Sequence, residues 1–254
     1  MNSNDVVHPI FSEIPPPDAK LWRYLSFAKF ASLLHSQKLH FTRVDRLDDH
    51  FEGVWPRSDL EYWQQPLFRT FDVPSFTKQF KCNVAASCWV ESPHESAAMW
   101  RLYTPGEEGV AITTTFGKLQ SLVKTVGEDA RWLADAARVM YIDHFNEGLI
   151  KNLGKGERLP NLLAPFMLKN ISYAHEKEVR ALVVSRPDEI GSDGFDLQIS
   201  LNDFVDEIVG NPFCQTWFTD VVAGLADRYN LGSKRHRSAL SPDIFYMTGQ
   251  ERKG

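Results

Sequence analysis

The stretch EKEVRALVV, residues 176–184, decides the fold class. Its second half is apolar and β-branched, the composition of a strand buried in a sheet, while its first half is charged. Residues i and i+2 of a strand share a face, so Glu176 and Glu178 read as two carboxylates side by side where a loop leads into a strand. Like charges that close raise at least one carboxyl pKa and cost stability unless cations such as Lys177, Arg180 or Arg23 compensate. Two readings stay open: a surface salt-bridge ladder of Glu178 with Arg180 or His175, which contributes little, or a functional pair.

Working outward, Leu21–Ser26, Asn83–Val90 and Gly109–Phe116 are short runs rich in aromatic, small or β-branched residues and predict strands beside Glu178–Val184. Weaker strand patterns cover Leu39–Thr42 and Arg138–Ile142. Ser26 reads as an N-cap, with Phe27, Phe30, Ala31 and Leu34 on one helical face. Ser92-Pro93-His94-Glu95 reads as a capping box that opens a helix through Met99, Trp100 and Tyr103. Further helices are predicted near 118–126 and over 158–170. In the last third, Asn211-Pro212 opens a helix whose apolar stripe is Phe213, Trp217, Val221 and Leu225, widened by Cys214, Phe218, Val222 and Tyr229. The fold class is therefore α+β: a small mixed or antiparallel split sheet lining a cleft, with flanking helices and a helical C-terminal part. The expected organisation is a partly disordered lead-in over 1–19, a core over 20–200, and a C-terminal helical extension over 201–254 with a flexible tail.

The chain has 254 residues, 43% of them hydrophobic and 12% aromatic, enough for a large core. A net charge of −5 excludes a global basic field for nucleic-acid phosphates. The local run Lys234, Arg235, His236 and Arg237 reads first as a solvated face. Three cysteines, Cys82, Cys88 and Cys214, with no Cys-x-x-Cys spacing, argue against a disulfide scaffold and a structural zinc site and suit a reducing compartment. The start MNSNDVVHPIFSEIPPP lacks the pattern of a secretory signal, and no stretch approaches the roughly 18–20 apolar residues that cross a bilayer. The cytoplasm is the expected location, with no membrane partner.

Besides the glutamates, three places carry candidate chemistry. Arg23 in LWRYLS is either a surface arginine with its stem beside aromatics or a guanidinium fork for a phosphate or ribose. Asp48, Asp49 and Glu52 are either a solvated acidic turn or oxygen ligands for a cation, and their spacing is not that of an EF-hand; no metal is assigned. Ser87 either satisfies a neighbouring group on a buried strand or lines a cleft, and no Gly-x-Ser-x-Gly elbow surrounds it.

Taken in order, Trp22-Arg23-Tyr24-Leu25-Ser26, Asp48-Asp49-His50-Phe51-Glu52, Ser87-Cys88-Trp89, Met99-Trp100-Arg101-Leu102-Tyr103, Gly109-Val110 and Glu176-Lys177-Glu178-Val179-Arg180 resemble the motifs of an uncharacterised bacterial domain-of-unknown-function family. His50 stands where that family usually has proline. The motif order is in turn distantly similar to the ADP-ribosyltransferase fold, although the middle strand reads Ala86-Ser87-Cys88 rather than Ser-Thr-Ser. The resemblance implies Glu178 as catalytic glutamate and Glu176 as the partner acid that orients the acceptor. It implies Arg23, Tyr24, Ser87, Trp100 and Tyr103 as cofactor-binding residues. NAD would be the substrate: cleaving its nicotinamide–ribose bond develops an oxocarbenium ion that a carboxylate stabilises.

The leading expectation is thus an NAD-dependent ADP-ribosyltransferase or NAD glycohydrolase, a toxin or defence effector, with an unknown acceptor, nucleic acid entering only as acceptor. The alternative is a non-catalytic nucleotide- or protein-binding domain of the same fold, which a buried Glu178 paired to Arg180 would favour. A third reading places the activity in a dimer face on the C-terminal helices. The oligomeric state stays open.

Overall fold

The computed structural model describes residues 13–66, 71–129, 131–150, 161–187 and 189–241. Residues 1–12 of the expected 1–19 lead-in, the start of the 158–170 segment and residues 242–254 lie outside them. In chain order, the first elements are β1 (Lys20–Ser26), α1 (Phe27–Ser36), β2 (Lys38–Arg43), α2 (Arg57–Trp63) and α3 (Val73–Phe80). Then come β3 (Val84–Glu91), α4 (Ala97–Tyr103), β4 (Gly109–Thr115), α5 (Phe116–Gly127), β5 (Leu133–Arg138) and β6 (Met140–Ile142). The remainder is β7 (Leu168–Asn170), β8 (Glu178–Val184), β9 (Gly194–Gln198), α6 (Leu201–Phe204), β10 (Glu207–Gly210), α7 (Thr216–Arg228) and β11 (Arg235–His236). This is the expected mixed α+β content. The chain divides into two compact units, each assembled from three separated stretches: residues 1–16, 40–89 and 119–197, and residues 17–39, 90–118 and 198–254.

In the first unit β8 is the organising strand. It pairs antiparallel with β5 along its whole length, from Glu178–Val179 beside Arg138 to Val184 opposite Leu133, and with β3 on its other side. β3 pairs antiparallel with β2 through Thr42↔Ala86 and Arg43↔Ala85, and β6 and β7 form a separate parallel pair. Every residue of β8 is buried, which explains its near-continuous apolar sequence. One face carries Leu182 and Val184 into a core with Val44, Val84, Ala86, Ala137, Phe166 and Met167. The 158–170 helix is overturned: residues 164–167 make a single 3₁₀ turn that leads directly into β7. An apolar run of that length is equally compatible with a fully buried non-helical segment, and Phe166, Met167 and Leu168 are all buried.

In the second unit β1 pairs antiparallel with β4 from Lys20↔Thr115 to Ser26↔Gly109, and with the end of β3 through Trp22↔Val90. β10 flanks β4 antiparallel and β11 runs parallel to β10. Both strands were missed in the sequence, because four- and two-residue strands leave no alternation to read. Ser26 caps α1 as expected, its Oγ accepting from the Lys29 amide, and Phe30, Leu33 and Leu34 are buried. α4 starts later than the capping box predicts. Ser96 is the N-cap, bonding the Met99 amide, and Glu95 instead accepts from the Trp100 indole and the Ser238 hydroxyl.

The register of the last helix also differs. α7 begins at Thr216, five residues after Asn211, whose side chain bonds the Phe213 amide and Thr104. The residues α7 buries are Phe218, Val222 and Ala226, while Phe213 and Val221 are exposed and Trp217 is 55% exposed. A helix with apolar residues on more than one face gives no unique choice of which to bury. Phe218→Ala should therefore cost about 3–5 kcal/mol in denaturant unfolding, whereas Trp217→Ala should stay within about 0.5 kcal/mol.

Candidate functional site

At the N-terminal end of β8 the first unit encloses five charged side chains. Arg180 is fully buried, and Glu178 and Glu52 are each 3% exposed, with Glu176 at 4% and Lys169 at 7%. The Arg180 guanidinium donates from Nε to Glu178 Oε1 at 2.7 Å. Its Nη1 and Nη2 donate to the two oxygens of Glu52 at 2.6 and 2.7 Å, and Nη1 also reaches the Phe166 carbonyl at 2.8 Å. Lys169 Nζ bridges the remaining acids, donating to Glu176 Oε2 at 2.6 Å and Glu178 Oε2 at 2.8 Å. The ring of Tyr173 lies 5.0 Å from the same ammonium.

Local backbone chemistry sets this arrangement. Glu176 is not a strand residue; it ends a 3₁₀ segment, Ile171–Glu176, and Lys177 takes the left-handed conformation at φ 46°. The i, i+2 relation of a strand therefore does not hold the two glutamates together; Lys169 does. Tyr141 on β6 accepts the Glu178 amide at 2.7 Å, pinning the start of β8. On the other side, Gly53 follows Glu52 at φ 62°, and a Cβ there would come within 2.6 Å of the Phe166 ring. Only glycine lets the acidic turn pass that ring and deliver Glu52 to Arg180.

Six carboxylate oxygens meet two cations, and five of them are taken. The sixth, Glu176 Oε1, has no hydrogen-bond partner among the described residues. Burial pushes the Glu178 carboxyl up, but the Arg180 guanidinium and then the Lys169 ammonium outweigh it and hold the group at about 2. Burial likewise works against the charges on Arg180 and Lys169, and Glu178 above all reverses it, keeping both cations charged. Burial raises the Cys88 thiol well above its ordinary value, and the Glu178 charge adds to it.

Several sequence-predicted residues stand elsewhere. Ser87 is buried and accepts from the Trp89 indole at 3.0 Å. By strand alternation it lies on the face of β3 opposite Cys88, and Cys88 is the β3 residue beside Glu178. Ser87 and Glu178 are therefore not brought together on one face of β3. Glu178 is buried with both its oxygens ion-paired, to Arg180 and Lys169, rather than in a surface salt-bridge ladder. Glu52 is an anion for Arg180 rather than a cation ligand, and among the described residues no group of His, Cys, Asp and Glu is arranged to hold a metal.

Arg23, Tyr24, Trp100 and Tyr103 belong to the second unit. Arg23 is half-buried and faces away from Trp22 and Tyr24, its neighbours on β1. Tyr24 stacks on Trp22 at 6.2 Å and meets Trp100 edge-on at 4.9 Å. Its hydroxyl accepts the Ser96 amide at 2.9 Å, and its ring packs in the core of this unit. Trp100 is buried in the same core, and its rim closes a hollow of about 310 Å³ with Arg101, Thr104 and Phe213. Tyr103 is exposed. Lys169, Cys88 and Tyr141 were missed. Nothing in their local sequence marks them, since each matters only through a residue distant along the chain.

Residues 99–181, about a third of the chain, match the model of a family described as "Protein of unknown function (DUF2971)". The matched segment holds the Met-Trp-x-x-Tyr and Glu-x-Glu-x-Arg motifs. No curated protein matches the sequence. Similar solved structures include Thermus sp. 2.9 DarT in complex with carba-NAD+, with 10% identity and a TM-score of 0.37 over 89% of this chain and 98% of that one. The same protein in complex with NAD+ gives 8% and 0.35 over 89% and 96%. In complex with ADP-ribosylated ssDNA it gives 9% and 0.37 over 91% and 98%.

Glu178→Gln removes one partner from a buried ionic group and should cost about 3–5 kcal/mol. The pH dependence has a definite sign. Glu178 titrates lower in the folded chain, at about 2, than its ordinary 4.5, so its contribution is complete above 4.5 and is lost as the pH falls toward 2. Unfolding followed by circular dichroism should show that acid-sensitive component in the wild type and lack it in Glu178→Gln.

Proposed function

We propose that the chain is an ADP-ribosyltransferase-type protein that handles NAD, with Glu176, not Glu178, as the carboxylate offered to the ligand. The single observation that carries this reading is the one unpaired carboxylate oxygen, Glu176 Oε1, at the edge of an otherwise saturated network. The motif order read in the sequence supplies the reaction class.

Cleavage of the nicotinamide–ribose bond leaves positive charge on the ribose ring. A fixed carboxylate oxygen stabilises that charge and accepts a hydrogen bond from a ribose hydroxyl, and it does so without reorganising. Lys169 holds the other oxygen of Glu176, and Glu178, Arg180 and Glu52 hold Lys169 in turn. Glu178 is then a positioning residue. Whether the ribosyl group passes to water or to a macromolecular acceptor is a separate property of the same site, and a role as toxin or defence effector would follow from the acceptor.

The second reading, a nucleotide- or protein-binding domain without catalysis, is favoured by one specific observation: Glu178, the glutamate placed by the motif, is buried and paired to Arg180. Activity separates the two. Purified protein incubated with NAD, with and without cell extract, should release nicotinamide. Glu176→Gln takes one of the two carboxylates from buried Lys169 and should also cost stability; the folded protein should still bind NAD in calorimetry while turnover falls about a hundredfold to a thousandfold. Wild-type protein that neither binds NAD nor releases nicotinamide would refute the transferase reading and leave the binding domain.

A further inference from the structure

We propose that the exposed face of α7 is a self-association surface, and that its occupant is the α7 of a second copy of this chain, packed antiparallel across a two-fold axis. The inference stands apart from the NAD reading and from Glu176.

α7 already commits one side to the core of the second unit, through Phe218, Val222 and Ala226. On the other side Trp217, Val221, Gly224 and Arg228 are all exposed. Their spacings of four, three and four residues place them on one stripe, the spacing of a helix–helix seam. Single exposed apolar residues need no explanation, but an indole and a valine aligned on one helix form a patch. A Cβ added at Gly224 would meet nothing within 4 Å, so the backbone there is open to an approaching side chain.

This stripe complements itself when reversed. A two-fold axis across α7 at the level of Val222 and Ala223 sets Val221 of each copy against the partner's Gly224. The same operation sets Trp217 against the partner's Arg228. Valine fills the space left by the missing side chain, and the indole face takes the guanidinium, a cation–π pair formed twice. Arg228 is available for it, with no ion pair among the described residues. The neighbouring acids are placed elsewhere: Asp227 holds Arg235 at 3.5 Å, and Asp220 lies off the stripe, lining the cavity beside β11. Parallel pairing would set Arg228 against Arg228 and align the two helix dipoles, whereas antiparallel pairing opposes them.

The 13 residues of α7 span about 20 Å, so this contact is smaller than the roughly 800 Å² per partner of a standard interface. The dimer is accordingly weak, with a Kd of roughly 10–100 µM. Sedimentation equilibrium of the full chain over roughly 1–300 µM brackets that affinity, and the weight-average mass should rise from monomer to dimer. Trp217→Ala and Arg228→Ala, each with wild-type melting, should weaken association about tenfold or more. The double variant should lose no more than the stronger single variant, because the two side chains contact each other. Gly224→Gln should stay folded, since its position is open, and should stay monomeric, since its side chain blocks Val221 of the partner. A monomer mass at every concentration would overturn the proposal, whatever else covers the stripe. So would a dimer that survives Trp217→Ala or Gly224→Gln, or losses at Trp217 and Arg228 that simply add. None of these outcomes bears on nicotinamide release.

Discussion

The Arg180 guanidinium, buried at the centre of the first unit, is the group on which the surrounding structure depends. A buried cation is tolerated only when its charge is paired and its N–H groups are bonded. Here the partners come from three separate stretches: Glu52 from the acidic turn, the Phe166 carbonyl from the 3₁₀ turn before β7, and Glu178 from β8 itself. Satisfying one side chain therefore ties together segments up to 128 residues apart in sequence. The same requirement accounts for Gly53, whose missing side chain leaves room for Phe166, and for Tyr141, which holds the first amide of β8.

The pairing within this cluster is uneven. Three carboxylates face two cations, and the unshared oxygen belongs to Glu176. A carboxylate that holds structure with both oxygens cannot also respond to a ligand; one held by a single oxygen can. The network then resembles a preorganised support, in which fixed neighbours set the direction of one carboxylate.

The second unit uses its unusual residues differently. Tyr24 and Trp100 read as ligand-binding aromatics in the sequence, and with Trp22 they form a packed core whose polar tips bond to Ser92, Ser96 and Glu95. Aromatic clusters serve both purposes with the same composition, so sequence alone does not separate them. The α7 helix shows the converse, with Trp217 and Val221 left outside while Phe218 and Val222 pack inward.

What the sequence by itself determined is local. The strands around LWRYLS, NVAASCWV, GVAITTTF and EVRALVV, and the Ser26 cap, follow from β-branching, burial and one side-chain bond within three residues. Glu176 and Glu178 stood out in the sequence as a pair, whereas Glu52 read only as part of an acidic turn or a cation ligand, and its place beside Arg180 was not legible. Tertiary structure alone decided their roles. Which glutamate is saturated depends on Lys169 and Arg180 approaching from defined directions, and the left-handed turn at Lys177 breaks the strand alternation that the spacing implied. Pairing energies between charges depend on distance and burial, and neither quantity exists until the chain has folded.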